Sequence, residues 1–324
     1  MNKTELLPDR PGIPPMAPLP EAEVIDIPSL ARAYAAGDID LLCVLGPTAS
    51  GKTRYAVDLA RRLSLCRMEG LPGAFAQVCR QEGLPGAFAQ ACRLEGVSDA
   101  FARTGSRSDA SGTPFSLRAD NPHAEILSAD SRQVYVGMDI GTGKDLKEYG
   151  EVPYHLIDIA PAGSKYNIYQ YQQAFADAWA DVRRRGAIPI LCGGSGLYIE
   201  AATRAYKFDK GNGVPPERLP QHVYYIGTLV SREERVARID RRLEERLQEG
   251  LVEEIRGLLE TVPAEDLMYY GLEYKFVTQY VLGLIPYEDM VIGLGNAIHQ
   301  FAKRQMTWFR GMERDGVRIH WVKP

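Results

Sequence analysis

The sequence of 324 residues has few cysteines and no long hydrophobic run. Its five cysteines are odd in number and form no C-x-x-C pair, so neither a disulfide framework nor a zinc site is favoured. The most apolar stretches, 41–45 and 187–192, fall far short of the roughly 20 residues that a membrane-spanning helix needs. Residues 1–20 carry no apolar segment of a secretory signal. These absences predict a cytoplasmic protein with no membrane partner.

The chain also lacks an excess of charge of either sign. Its 38 Lys and Arg residues nearly balance 42 Asp and Glu residues, for a net charge of −4. This balance excludes a globally basic nucleic-acid-binding protein, but not a local basic groove, because phosphate binding depends on where the charges lie. With 45% hydrophobic residues the composition is that of a globular protein. The length predicts one large domain with an appendage, or two domains.

Strand and helix patterns alternate along most of the chain, which predicts an α/β fold with a parallel sheet. Beyond residue 250 the pattern is helical up to about residue 307, and a short strand follows near 317–322. The predicted strands are 40–45, 124–129, 187–191 and 223–229, and the predicted helices are 27–36, 52–65, 168–185 and 231–249.

Two segments interrupt the alternation. EGLPGAFAQVCRQ (69–81) is followed directly by the nearly identical EGLPGAFAQACRL (82–94), and a polar run continues beyond it. We predict that 68–122 is a disordered, tandem-duplicated surface insertion, which a core tolerates because the entropy of loop closure grows slowly with length. A metal cluster of Cys66, Cys79 and Cys92 is not favoured, because the spacing matches no known ligand pattern. The predicted divisions are a leader with a short helix (1–38), a core (39–206), a linker (207–222) and a core strand with C-terminal helices (223–324).

The segment GPTASGKT (46–53) fits the phosphate-binding pattern G-x-x-x-x-G-K-[ST] between an apolar strand and a helix. Its glycines let the backbone wrap a phosphate with N–H groups pointing inward, and the helix N-terminus adds positive potential. Lys52 supplies a cation, and the Thr53 hydroxyl suits Mg²⁺. The motif predicts an α/β, P-loop NTPase-like parallel sheet flanked by helices, with a smaller helical C-terminal part. The phosphate-binding residues would be Gly46, Thr48, Ala49, Ser50, Gly51, Lys52 and Thr53.

The candidate acid is Asp130, at the end of the strand 124–129. P-loop proteins that act on phosphoryl groups usually hold Mg²⁺ with an Asp that follows a second strand. The strand 187–191 runs into Cys192 and two glycines and offers no such acid. Asp130 begins the polar segment DSRQ at the carboxyl end of its strand, where α/β sites lie. The position of Asp130 in the sequence leaves three roles open: metal ligand, base or helix N-cap.

Together, segments in a fixed order along much of the chain resemble the tRNA dimethylallyltransferase (tRNA isopentenyltransferase) family. The resemblance implies transfer of a dimethylallyl group from dimethylallyl diphosphate to N6 of an adenosine next to the anticodon in tRNA, releasing pyrophosphate. It also implies Mg²⁺ as cofactor, the tRNA anticodon stem-loop as partner, and a P-loop core with a helical insertion domain. We expect a monomer. The matching segments are GPTASGKT (46–53), SADSRQVYVGMDIGTGK (128–144), VPYHLID (152–158), CGGSGLY (192–198), SREERVARIDRR (231–242), GLVEEI (250–255) and AKRQMTWFR (302–310).

The resemblance also implies roles for single residues. Asp130 would be the catalytic base, assisted by Thr53 and Arg238, with Thr53 as the metal ligand. Arg232 and Arg238 would contact the diphosphate, although six residues separate them by about 120° on a helix, and solvated helix charges explain them equally. Ser195 stands where the family usually has threonine. The implied tRNA contacts are Asp130, Ser131, Arg132, Gln133, Ser195, Lys303, Arg304 and Gln305.

The segment 301–310 is the strongest local basic patch, with three cations, no acid and interleaved aromatic residues. This composition suits contacts to RNA backbone and bases. An amphipathic helix that buries Phe301, Trp308 and Phe309 explains the same pattern.

The chain departs from the family pattern at three places. The insertion 68–122 stands where family members have a short connection. The linker 207–222 is too short for the family's helical insertion domain, whose arginine-rich helix grips the anticodon stem-loop. GLEYK (271–275) replaces a glycine-aromatic-lysine/arginine motif. Three alternatives therefore stay open: an adenylate-type isopentenyltransferase on free nucleotide, a P-loop nucleotide kinase, and a degenerate copy without activity.

Overall fold

The computed structural model describes residues 20–68, 124–204 and 213–324. Its strands are β1 (Leu41–Leu45), β2 (Ala124–Ser128), β3 (Tyr154–His155), β4 (Ile188–Gly193), β5 (Val223–Thr228) and β6 (Ile319–Val322). Its α-helices are α1 (Ile27–Ala36), α2 (Lys52–Met68), α3 (Ile168–Arg184), α4 (Gly196–Thr203), α5 (Arg232–Glu249), α6 (Leu251–Leu258), α7 (Ala264–Tyr269), α8 (Leu272–Val281) and α9 (Tyr287–Arg314).

Within these ranges, six strands form one parallel sheet in the order β3-β2-β4-β1-β5-β6. The predicted α/β class with a parallel sheet and C-terminal helices is confirmed. Each predicted strand and helix lies within a few residues of its expected position. The two-residue strand β3 was not predicted, because two residues carry no periodic pattern.

Both faces of the sheet are covered, which is why the central strand reads as the continuous apolar run LLCVL. Alternate side chains point to opposite faces. Leu41, Cys43 and Leu45 belong to the core beneath α3, α4 and the C-terminal helices, whereas Leu42 and Val44 belong to the core beneath α1 and α2. β1 is therefore held rigidly at the centre of the fold, and the loop that follows it has a fixed base.

The predicted insertion 68–122 lies outside the described residues except for its first, so it stays a prediction. The predicted linker is described from residue 213 onward. There, the Val214 N–H donates to Gln172 Oε1 (2.9 Å), and the Asp40 carboxylate accepts the N–H groups of Gln221 and His222. This half of the linker is tied to the core. Among the described helices, none is both long enough and apolar enough to cross a membrane.

Candidate active site

Three loops meet at the carboxyl edge of the sheet because β4 lies between β1 and β2. In the register, Leu45 of β1 faces Gly193, and Ser128 of β2 faces Cys192. The Ala129 N–H donates to the Cys192 carbonyl at 2.8 Å, which ties the ends of β2 and β4 together. The P-loop (46–53), the segment after β2 and the turn between β4 and α4 (the β4–α4 turn, 193–196) are therefore neighbours. Ligand-binding loops are arranged in this way in open α/β sheets.

These loops open into one cleft, which is completed by α5, α8 and α9 and by the loop 141–143. Its wall combines charged and apolar groups. The cations are Lys52, Arg132, Arg242 and Arg246, and the carboxylates are Asp130 and Glu273. The apolar lining includes Tyr149, Cys192, Leu272, Ile298 and Phe301. The wall of the cleft therefore offers both groups that attract an anion and groups that suit a hydrocarbon.

The P-loop residues divide into those that face the cleft and those that shape the loop. Thr48, Lys52 and Thr53 line the cleft. Ser50 is fully buried and its hydroxyl lies 2.6 Å from Thr228 Oγ1, so this side chain points into the fold. Gly51 has φ +81°, a left-handed conformation that glycine adopts without strain, and it turns the chain into α2.

Lys52 lies at the base of the cleft, near Asp130. Burial lowers the pKa of its ammonium group, and the Asp130 carboxylate opposes this shift. The Thr53 hydroxyl lines the same wall at the first turn of α2. A desolvated cation beside a helix N-terminus is a strong binding site for a phosphate group.

Asp130 caps a turn and faces the cleft at the same time, but no helix begins after it, so it is not a helix N-cap. Its Oδ1 accepts the Arg132 N–H at 3.0 Å, and the Ser128 hydroxyl accepts the Asp130 N–H at 3.3 Å. Among the described residues no hydrogen bond occupies Oδ2. The backbone contacts therefore fix the carboxylate while leaving one oxygen available for a substrate.

The residues after Asp130 have different surroundings. The Ser195 hydroxyl accepts the Ser131 N–H at 3.0 Å and donates to Ser131 Oγ at 3.1 Å, so these two predicted tRNA contacts do come together. Arg132 pairs with Glu273 at 3.2 Å and lies over the Phe301 ring.

Gln133 differs from its neighbours because both ends of its amide are used inside the protein. It is buried, its Oε1 accepts from the Ser128 hydroxyl, and its Nε2 donates to the Gly143 carbonyl. Its side chain joins β2 to the loop 141–143 while lining the same cleft, and its predicted contact with tRNA stays a prediction.

The arginines of α5 differ in their position relative to the cleft, and the predicted diphosphate contacts of Arg232 and Arg238 stay predictions. Arg232, in the first turn of α5, does not line the cleft in the described part of the chain. Arg238 contacts the P-loop, where its Nη1 lies 3.5 Å from the Ala49 carbonyl oxygen, but in the described part of the chain it does not line the cleft. Arg242 and Arg246, further along α5, form the cleft wall instead.

The loop 141–143 orients these two arginines. Arg242 donates to the Gly143 carbonyl and to Asp145, and Arg246 donates to the Gly141 carbonyl and to Glu273. A signal for Arg246 was present in the sequence. It falls in the same helical stripe as the buried Ile239 and Leu243, and an arginine in such a stripe is rarely buried without a specific role.

Helix α9 presents different residues on its two sides. Lys303 and Arg304 are exposed, and the Arg304 guanidinium lies 6.0 Å from the Phe301 ring centroid. Phe309 is fully buried, whereas Trp308 is 40% exposed. The helix is thus amphipathic and buries Phe309 but not Trp308, and the RNA contacts of its exposed cations stay a prediction. Gln305 is buried beside the P-loop and has no free end for RNA.

Two titratable side chains of the wall, Cys192 and Tyr149, are buried. Burial raises the pKa of the Cys192 thiol to about 12 and raises the pKa of Tyr149 as well. Cys192 therefore stays a neutral thiol near pH 7. Chemistry in this cleft depends on the carboxylates and cations.

The donor set fits Mg²⁺ only in combination with a phosphate ligand. Among the described residues, no group of three His, Cys, Asp or Glu side chains is placed to hold a metal ion. Thr53 offers a hydroxyl oxygen beside the P-loop. Mg²⁺ commonly binds through one or two protein oxygens, substrate phosphates and waters, and this wall suits that mode.

Glu254 holds the loop that orients the arginines. Its carboxylate accepts the N–H groups of Asp139, Ile140 and Gly141 and the Tyr274 hydroxyl. We expect Glu254→Ala to lower the free energy of unfolding by about 2–3 kcal/mol, because these donors lose a charged acceptor. Urea unfolding measures this. Glu253→Ala, an exposed neighbour on α6, is the control, and an equal effect of both variants would contradict the role of Glu254.

A family model described as IPP transferase matches residues 133–217 and 210–312. The tRNA dimethylallyltransferase 2 of Porphyromonas gingivalis is 38% identical to this chain over 340 residues, which cover 87% of the chain and 93% of the relative. The chain belongs to the IPP transferase family. The alignment is longer than the 324-residue chain, so this IPP transferase lacks residues that the relative has.

Two further comparisons extend the result for this IPP transferase. The tRNA dimethylallyltransferase 1 of Azobacteroides pseudotrichonymphae is 42% identical over 274 residues, covering 66% of this chain and 90% of the relative. The full-length tRNA isopentenylpyrophosphate transferase from Bacillus halodurans has the same fold, with a TM-score of 0.60 at 22% identity, covering 87% of this chain and 89% of that structure.

Proposed function

We propose that this IPP transferase is a tRNA dimethylallyltransferase, which transfers the dimethylallyl group of dimethylallyl diphosphate to N6 of an adenosine next to the anticodon. The observation that carries the proposal is that Asp130 and the P-loop open into one cleft. Its relatives in P. gingivalis and A. pseudotrichonymphae are named for this activity. None of the comparisons favours a nucleotide kinase or a transferase acting on free nucleotide.

The diphosphate would bind the P-loop N–H groups, Lys52 and Thr53, facing Arg242 and Arg246. The C1–O bond of the dimethylallyl group breaks, and pyrophosphate leaves with the electron pair. Fixed cations and N–H donors around the diphosphate stabilise the charge that grows on its oxygens. Mg²⁺, held by Thr53 and the phosphate oxygens, would neutralise further charge there. The five-carbon group would lie against the apolar wall that includes Tyr149 and Phe301.

The new bond forms between adenine N6 and C1. An exocyclic amine is a poor nucleophile because its lone pair is delocalised into the ring. Asp130 Oδ2 would accept the proton that N6 releases, which supplies general-base catalysis. Unpaired bases are typically splayed out of an RNA loop to be read. Arg132, Ser131 and Ser195 lie beside Asp130 and would contact the target nucleotide, and Lys303 and Arg304 would contact the RNA backbone.

The finer parts of the proposal are Mg²⁺ dependence, action as a monomer and a cytoplasmic location. The short linker bears on RNA binding, because 207–222 leaves little chain for an additional RNA-gripping helix. The exposed cations of α9 and Arg132 would then carry more of the RNA contact than in longer relatives.

The direct experiment is to incubate the enzyme with Mg²⁺ and labelled dimethylallyl diphosphate together with either anticodon stem-loop RNA or AMP. We expect label in the RNA as N6-dimethylallyladenosine and an equal yield of pyrophosphate. Label in AMP alone would identify the adenylate-type enzyme, and ATP turnover with a phosphorylated product would identify a kinase. No label in either acceptor would indicate a degenerate copy.

The position of Arg242 in the cleft wall gives a separate prediction. We expect Arg242→Met to weaken pyrophosphate binding by about tenfold, because a charge-assisted hydrogen bond to the ligand is lost. Arg238→Met, the matched variant on the same helix, should have a smaller effect, since Arg238 does not line the cleft in the described part of the chain. Isothermal titration calorimetry with magnesium pyrophosphate measures both, and a larger loss in Arg238→Met would restore the assignment made from sequence.

A further inference from the structure

The side chain of Gln305 joins two loops of the active site. It projects from α9 into the protein and is only 6% exposed. Its Oε1 accepts the Thr48 N–H at 2.8 Å, and its Nε2 donates to the Gly194 carbonyl at 2.9 Å. One amide group thus satisfies a backbone donor of the P-loop and a backbone acceptor of the β4–α4 turn.

Both hydrogen bonds require an amide side chain at position 305 and a close approach of this amide to residue 194. A Cβ on residue 194 would lie 2.4 Å from Gln305 Nε2, so glycine is needed there for the amide to reach the carbonyl. Methionine has the length of glutamine but offers neither a comparable acceptor nor a donor. Replacing Gln305 with methionine would therefore remove the partner of the buried Gly194 carbonyl and of the partly buried Thr48 N–H, which is costly.

Of the two loops that Gln305 joins, one is the phosphate-binding loop and the other contacts the segment that holds Asp130. Thr48 lines the cleft as part of the P-loop. The β4–α4 turn carries Ser195, whose hydroxyl binds Ser131, the residue after Asp130. The amide of Gln305 therefore sets the separation between the phosphate-binding loop and the segment that holds the carboxylate.

We propose that Gln305 is a positioning residue, which holds the P-loop in the conformation that binds diphosphate and does not contact RNA. The proposal rests on the proposed function only in taking the P-loop as the diphosphate site. It separates Gln305 from the neighbouring Lys303 and Arg304, which are exposed on the same helix.

The test measures the binding of each of the two ligands to the full chain in a separate titration. Gln305→Met is titrated by calorimetry with magnesium pyrophosphate and, in a second experiment, with anticodon stem-loop RNA. We expect the Kd for pyrophosphate to rise by about tenfold because the P-loop loses a fixed backbone contact, while the Kd for RNA stays unchanged. Gln300→Met, an exposed position on the same helix, is the control and should change neither Kd.

A second variant covers the case in which Gln305→Met does not fold. Gly194→Ala displaces the amide from the other side, and it should also weaken pyrophosphate binding selectively. When both single variants fold, the double variant should lose less pyrophosphate binding free energy than the two single variants lose in sum. The reason is that both changes break the same contact.

Weaker RNA binding with unchanged pyrophosphate binding would show that Gln305 is an RNA contact and would overturn the proposal. Unchanged binding of both ligands, or an equal loss of both, would overturn it as well. Failure of the unaltered protein to bind pyrophosphate would instead refute the proposed function, and with it the diphosphate site that Gln305 is proposed to hold.

Discussion

Asp130→Asn should lower the rate of prenyl transfer to anticodon stem-loop RNA by about 10²–10⁴-fold, because the amide cannot accept the N6 proton. The asparagine Oδ1 still accepts the Arg132 N–H, so the turn after β2 keeps its shape. Single-turnover kinetics with saturating substrates isolates the chemical step. The loss should appear in this rate, while the affinity for pyrophosphate stays similar or increases, since a negative charge near Lys52 is removed.

The control is Asp38→Asn, which changes an exposed aspartate in the turn between α1 and β1. It should transfer the dimethylallyl group at the rate of the unaltered protein. If Asp130→Asn retains full single-turnover activity, Asp130 is not the base, and the carboxylate serves only to cap its turn.

Lys52→Met should weaken pyrophosphate binding by at least about thirtyfold. Truncating one partner of a desolvated, hydrogen-bonded charge pair costs about 2–5 kcal/mol, and each 1.4 kcal/mol is a factor of ten. Methionine preserves much of the length of the side chain, so the wall of the cleft stays filled. Calorimetry with magnesium pyrophosphate gives the affinity, and urea unfolding verifies that the variant is folded.

Lys165→Met provides the comparison for Lys52→Met, because Lys165 is an exposed lysine remote from the P-loop that lies over the Tyr269 ring. Its pyrophosphate affinity should equal that of the unaltered protein. An Lys52→Met variant that binds pyrophosphate normally would show that the diphosphate does not occupy the P-loop.

The sheet and its flanking helices were predictable because each strand has a simple sequence signature. β1 is an apolar run that ends in a glycine-rich loop, and β4 is bounded by Gly186 and the glycines after Cys192. Buried parallel strands read this way because helices cover both faces. The position of Asp130 at the carboxyl edge followed from the same rule, since it comes directly after a strand.

The orientation of individual side chains was less predictable. Arg232 and Arg238 follow a sequence match, but only the packing of α5 decides which arginines face the cleft, and these are Arg242 and Arg246. Gln133 and Gln305 stand in segments rich in polar and basic residues, which suggests RNA contacts. Each buried amide hydrogen-bonds a backbone group of another loop, and such long-range pairings leave no periodic trace in a sequence.

The measurement that tests the account most directly is a crystal structure with anticodon stem-loop RNA and a thiolodiphosphate analogue of dimethylallyl diphosphate. We expect the diphosphate in the P-loop against Lys52 and Thr53, with a flipped adenine whose N6 lies within about 3 Å of the Asp130 carboxylate, the reach of a general base. An adenine bound away from Asp130, or a diphosphate outside the P-loop, would contradict the central claim that one cleft joins the two substrates.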